Sequence, residues 1–268
     1  MENRNIQRNL NRNELRKAWE REQEIAYIHG WDFSHIDGRS GQGDLPWDYD
    51  AIVRQYLKKD MKILDYDTGG GEYLLSLHHP YGNTAATEGY PPNVKLCRDT
   101  LVPLGIDLRE CSDPSNIPFP DELFDMIINR HGGFDPAEIR RLLKDNGLFV
   151  TQQVGGSNDQ DLVRMLMPEA VAPSSNLYLK EQTKAFEDAS FEIIRAEEAF
   201  RPIWFTDIGA LVWFARIIEW EFTGFSVDRC FERLLELQSV IEQKGRVEGT
   251  IHRYLIVARK LSSKGSEM

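Results

Sequence analysis

The stretch Lys62 to Leu77, KILDYDTGGGEYLLSL, constrains the fold of this chain more than any other. A short apolar strand (Ile63, Leu64) runs into a turn holding Gly69, Gly70 and Gly71, and a helix opens near Glu72. Glycine allows positive φ and carries no Cβ, so a ligand can lie against bare backbone at a helix N-terminus. A glycine run after a strand marks, by itself, only a turn. Here an acidic residue, Glu88, follows 17 residues beyond Gly71. It closes a second apparent strand, Asn83 to Glu88, where a ribose-binding carboxylate belongs in a nucleotide-type cradle.

Around this unit apolar runs alternate with helical ones, as repeated βα units do. Further strands are expected at Ile106 to Ser112, Phe124 to Asn129, Gly147 to Val154, Phe191 to Glu197 and Thr250 to Arg259. Helices are expected near Arg12 to Ile28, Asp50 to Leu57, Pro92 to Leu101, Pro136 to Lys144, Asp159 to Met167 and Leu177 to Ala189. Two more, Asp207 to Trp220 and Val227 to Lys244, fall in an aromatic-rich interval before the last strand. The organisation read from this has three parts: an N-terminal helix and aromatic lid segment (1–49), an α/β unit (50–204 and 247–261), and a helical insertion (205–246) forming part of a substrate pocket.

The arrangement resembles the class I S-adenosylmethionine-dependent methyltransferases over roughly Asp50 to Lys260. Their first motif, D-x-G-x-G-x-G after a strand, stands here as Asp65, Tyr66, Asp67, Thr68, Gly69, Gly70, Gly71, with Asp67 in place of the first glycine. Glu88 falls on the ribose-binding position, and SDPSNIPFPD (Ser112 to Asp121) looks like the segment whose acid, Asp113, contacts the adenine amine. LLKDNGLFV takes the place of the L-K-P-G-G turn before the fifth strand. The resemblance implies a Rossmann-like, mostly parallel seven-stranded sheet with an antiparallel terminal hairpin. It also implies S-adenosyl-L-methionine as cofactor, with Asp65, Asp67, Gly69, Gly71, Glu88, Asp113 and Asn129 around it. Two readings of Asp67 stand: a charge facing the cofactor's ammonium, or a substitution that weakens cofactor binding.

Ligands of open α/β sheets sit at the C-terminal ends of strands, which singles out the NRHGGF segment. His131 is the candidate general base or substrate contact, Arg130 and Gln152 are candidate substrate contacts, and Trp31 of the aromatic loop joins them. His35 and His252 read as structural, and His78 with His79 lack the further ligands that a metal needs. A net charge of −11 disfavours a broad phosphate-binding surface. The reading is a methyltransferase acting on a small molecule by in-line transfer. RNA methylation, a non-catalytic binding protein of the same fold and a nicotinamide-dependent dehydrogenase are the alternatives. The polar N-terminal stretch lacks the apolar core of a signal peptide, and a cytoplasmic protein is expected.

Overall fold

The computed structural model describes residues 12–27, 32–170 and 177–262. In chain order the elements are α1 (Arg12–Glu24), β1 (Ser40–Gln42), α2 (Tyr49–Tyr56), β2 (Ile63–Tyr66), α3 (Glu72–Ser76), β3 (Thr84–Glu88), α4 (Pro91–Thr100) and β4 (Asp107–Glu110). There follow β5 (Phe124–Arg130), α5 (Pro136–Leu142), β6 (Leu143–Val154), α6 (Gln160–Leu166), α7 (Leu179–Asp188), β7 (Phe191–Phe205), α8 (Ile208–Ile217), α9 (Val227–Lys244) and β8 (Val247–Lys260).

All eight strands form one sheet in the order β1-β7-β8-β6-β5-β2-β3-β4. Strands β4 to β6 run parallel through β3, β2 and β5, while β8 is antiparallel to both its neighbours, β6 and β7. The expected α/β sheet with its antiparallel hairpin is present, and β1, from the aromatic N-terminal loop, adds an eighth strand against β7. Every residue of β2 and β3 is buried, as strands covered on both faces must be. From β2 the chain moves outward through β3 to β4, then returns to β5 on the other side of β2. That reversal opens a crevice at the C-terminal ends of β2 and β5.

Side-chain caps set the starts of α2, α5, α8 and α9. Asp48, Asp135, Asp207 and Ser226 accept from the N–H groups of Ala51, Glu138, Ala210 and Arg229 at 2.9–3.1 Å. Helix α9 coincides with its expected span and ends on Gly245 at φ +84°. Helix α5 stops two residues before the expected Lys144, because Leu143 already pairs with Phe124.

The largest departure is β7, which runs to Phe205 instead of Glu197. Its partner β8 matches it down to Phe205 against Val247, whereas β6 ends at Val154 opposite Arg253. The distal part of the β7–β8 hairpin therefore projects past the C-terminal ends of the parallel strands. On it sits a separate apolar cluster: Trp19 of α1, Leu162 of α6, Phe205, Trp213 and Phe214 of α8, and Phe231 of α9. Most aromatics of the interval between β7 and β8 are thus core. Among the described residues no helix is long and apolar enough to cross a membrane.

Candidate functional site

The loop after β2 alternates into the left-handed region at Asp67 (φ +60°), Gly69 (+67°) and Gly71 (+83°). A Cβ on Gly71 would lie 2.8 Å from Leu101 Cδ2, so glycine is needed there for space as well as conformation. Asp67, a residue type that tolerates αL, holds the first of these positions. The loop is pinned to β3: the Asp67 N–H donates to Thr87 Oγ1 (3.1 Å) and the Thr68 N–H to the Thr87 carbonyl (2.9 Å). The Thr68 hydroxyl donates to Asp65 Oδ2 at 2.6 Å.

Three acids gather around this loop. Burial is the main force raising Asp65, to about 7, with Asp67 and Glu88 adding to it against the Thr68 hydrogen bond and Arg130. Asp67 keeps solvent access, and desolvation in the cleft followed by the Glu88 carboxylate raises it to about 6. Its carboxylate lies so close to Gly132 that a Cβ there would meet it. Mutual repulsion among carboxylates is relieved by a cation, as an ammonium or sulfonium group would provide.

Glu88 is 2% exposed. Its Oε1 accepts from the N–H groups of Gly89 and Tyr90, each at 2.8 Å, and its Oε2 is buried with no hydrogen-bond partner. An unpartnered buried carboxylate oxygen is costly, and a ribose hydroxyl would satisfy it. Gly89 packs directly on the backbone of Cys111 and Ser112, which brings Glu88 near Asp113. Asp113 is exposed, and its Oδ1 accepts from the hydroxyl (2.7 Å) and N–H (2.9 Å) of Ser115. Those bonds lower its pKa and leave Oδ2 for an outside donor.

At the end of β5, the Asn129 side chain, expected as a cofactor contact, is buried with its polar atoms bonded within the sheet. Its Nδ2 donates to the Tyr66 carbonyl (2.8 Å) and its Oδ1 accepts from Thr151 Oγ1 (3.2 Å) and from Gln153 Nε2. It fastens β5 to β2 and β6 and thereby positions the loop. Arg130 is exposed, its guanidinium 4.9 Å from the centroid of the Tyr73 ring.

Trp47 Nε1, which can only donate, bonds Gln152 Oε1 at 2.8 Å. The Gln152 amide nitrogen therefore faces His131 Nε2, 3.3 Å away, and donates to it, so the imidazole carries its proton on Nδ1. The cleft walls, then Arg253 and Arg130, lower the His131 pKa well below its ordinary value. A neutral imidazole whose accepting nitrogen is engaged suits a hydrogen-bond donor better than a general base. Trp31 lies outside the described residues.

Four residues that the sequence did not single out adjoin this group. Asn158 Nδ2 donates to Asp159 Oδ2 (2.8 Å) and to both oxygens of Glu221 (3.0 and 2.9 Å), while its Oδ1 accepts from Arg253. Burial and the nearby Glu221 hold Asp159 protonated well above the usual carboxylate range. His252, read as structural, is enclosed: Nδ1 accepts from the Ser157 N–H and Nε2 donates to Glu198 at 2.9 Å.

No protein-family model matches the chain, and no curated protein matches its sequence. Solved structures do match. One is a Bacillus halodurans protein whose description as a methyltransferase is provisional: 18% identity, TM-score 0.57, covering 80% of this chain and 99% of that one. The Bacillus subtilis YcgJ protein gives 18% identity, TM-score 0.56 and the same coverage. A Deinococcus radiodurans protein of unknown function covers 92% of this chain and 98% of its own at 15% identity and TM-score 0.52. At these identities the likeness is one of fold, and it is the fold that the sequence motifs imply.

Proposed function

We propose that this chain is an S-adenosylmethionine-dependent methyltransferase acting on a small-molecule acceptor by in-line transfer. The observation that carries the reading is the Glu88 carboxylate at the end of β3, with one oxygen fixed by backbone and the other buried without a partner. The glycine loop after β2, which Asp67 enters in a left-handed conformation, supports it. The methyltransferase fold of the matched structures agrees with it.

In this reading Glu88 Oε2 accepts from ribose, Asp113 Oδ2 from the adenine amine, and Asp65 and Asp67 face the cationic methionine end. S-adenosylmethionine supplies an electrophilic methyl group on a sulfonium. The chain's task is then alignment and exclusion of water. Asn129 holds the β5 end in register, and Trp47 fixes Gln152, which fixes the His131 tautomer. The organisation into an α/β unit with an N-terminal lid and a helical insertion is proposed on the same footing.

Calorimetric titration of the purified chain with S-adenosylmethionine, S-adenosylhomocysteine and NADH tests the reading. Binding of the first two without NADH is expected. NADH binding with no S-adenosylmethionine binding would replace it with the dehydrogenase reading. The charge of Asp67 also suits a binder without turnover, and methylation of any metabolite would eliminate that alternative.

A further inference from the structure

The register of β5, β6 and β8 bears on the acceptor. Arg130 pairs with Gln152 across β5 and β6, and Val154, two residues on, pairs with Arg253 of β8. Directly opposed residues, and residues two apart on a strand, project from the same side of a pleated sheet. Arg130, Gln152 and Arg253 thus share one face at the C-terminal strand ends, with His131 against Gln152. Both guanidinium groups are close enough to act on that imidazole.

Neither charge is matched by direct contact. Among the described residues Arg130 makes no ion pair: its guanidinium lies over the Tyr73 ring and acts across space on Asp65. Arg253 donates through Nη1 alone, to Asn158 and to the His252 carbonyl (2.9 Å), leaving Nε and Nη2 uncommitted among the described residues. Its acidic neighbours Asp159 and Glu221 act on it across space and are bridged to each other by Asn158. Arg39, Arg141 and Arg229, by contrast, are held in ion pairs. Two guanidinium forks that make no direct ion pair and both act on His131 can form a receptor for a planar anion.

We propose that the methyl acceptor is a small carboxylate, held between the guanidinium groups of Arg130 and Arg253 with the Gln152–His131 pair as the floor of its site. The proposal rests on the methyltransferase reading for the word acceptor, while the anion site itself stands on the arginines. His131, protonated on Nδ1, adds a neutral donor to the two charged ones.

Calorimetry on the full chain saturated with S-adenosylhomocysteine, titrated with benzoate and with the isosteric neutral benzamide, tests it. Benzoate is expected to bind about tenfold more tightly than benzamide. R130Q, at an exposed position, and R253K, which keeps the charge but loses the fork, are each expected to weaken benzoate about fivefold or more. R21Q on the exposed side of α1 should change nothing. Equal binding of the two probes, or no benzoate binding, would overturn the proposal. So would an R130Q that weakens S-adenosylhomocysteine as much as benzoate, which would assign that arginine to the cofactor. If wild-type protein fails to bind S-adenosylhomocysteine, the methyltransferase reading falls, and the probes titrated into the protein alone still decide the anion site.

Discussion

The two oxygens of Glu88 have opposite circumstances, one held by two N–H groups and one buried alone. Glu88→Ala is expected to weaken S-adenosylmethionine by about 1–3 kcal/mol, seen as a raised Kd; an unchanged Kd in a folded variant would show the cradle to be misplaced. Asp65 adds a pH dependence with a definite sign. Unfolded it ionises near 3.8, folded it holds its proton to about 7, so between those values the native state binds more protons. Stability therefore falls as pH rises through that window and levels off above it. Asp65→Asn keeps the oxygen that Thr68 needs and should lose less stability than wild type from about pH 4 to about pH 8 in urea titrations. A parallel loss in both proteins would show that Asp65 is not the source. Asp67→Gly should loosen cofactor binding, because the carboxylate lies among acids that a cation satisfies. Tighter binding would mark Asp67 as a defect in the loop. Asp65, Asp67 and Glu88 were legible in sequence because each sits at a fixed offset from the glycine loop. Arg253, Asn158 and Glu221 were not, because they reach the site from distant parts of the chain.

Elements with local signals were the readable ones. Helix α9 was visible to the residue, since Ser226 and Gly245 bracket its apolar periodicity. Strand β7 was not: Pro202 and the mixed polarity after Glu197 mask a strand whose continuation depends on β8 and on β1, both far away in sequence. The same dependence hid the Trp47–Gln152 bond, since nothing near either residue announces it. Where elements meet, the contact between Gly89 and the chain after β4 controls the distance from Glu88 to Asp113. A Cβ at Gly89 would lie 2.5 Å from the Cys111 carbonyl oxygen and 2.9 Å from Ser112 Cα. Backbone must move to admit it. Gly89→Ala is expected to cost roughly 1–3 kcal/mol in stability and to weaken S-adenosylmethionine further, because the two acids are pushed apart. Denaturant melts and the Kd together check this; a variant with wild-type values for both would show that the turn absorbs the methyl group.

Across the whole molecule, α1 is tied to α8 and α9, elements about two hundred residues away. Trp19 meets Phe231 at 5.7 Å, and the Arg39 guanidinium joins Glu22 to Asp207, its contacts all at 2.8 Å. Arg39→Met is expected to speed hydrogen exchange in α1 and α8 while leaving β2 and β5 protected. Uniformly faster exchange would mean that the helical layer and the sheet open as one unit. The order of strands in the sheet differs from their order in the chain. Strand β8 follows β6 and β7 in the chain yet lies between them. As the polypeptide emerges from a ribosome, β6 and β7 cannot pair with each other as they do through β8, so each presents an open edge for as long as synthesis of the intervening helices takes. Those edges close only once β8, made after α8 and α9, enters between them.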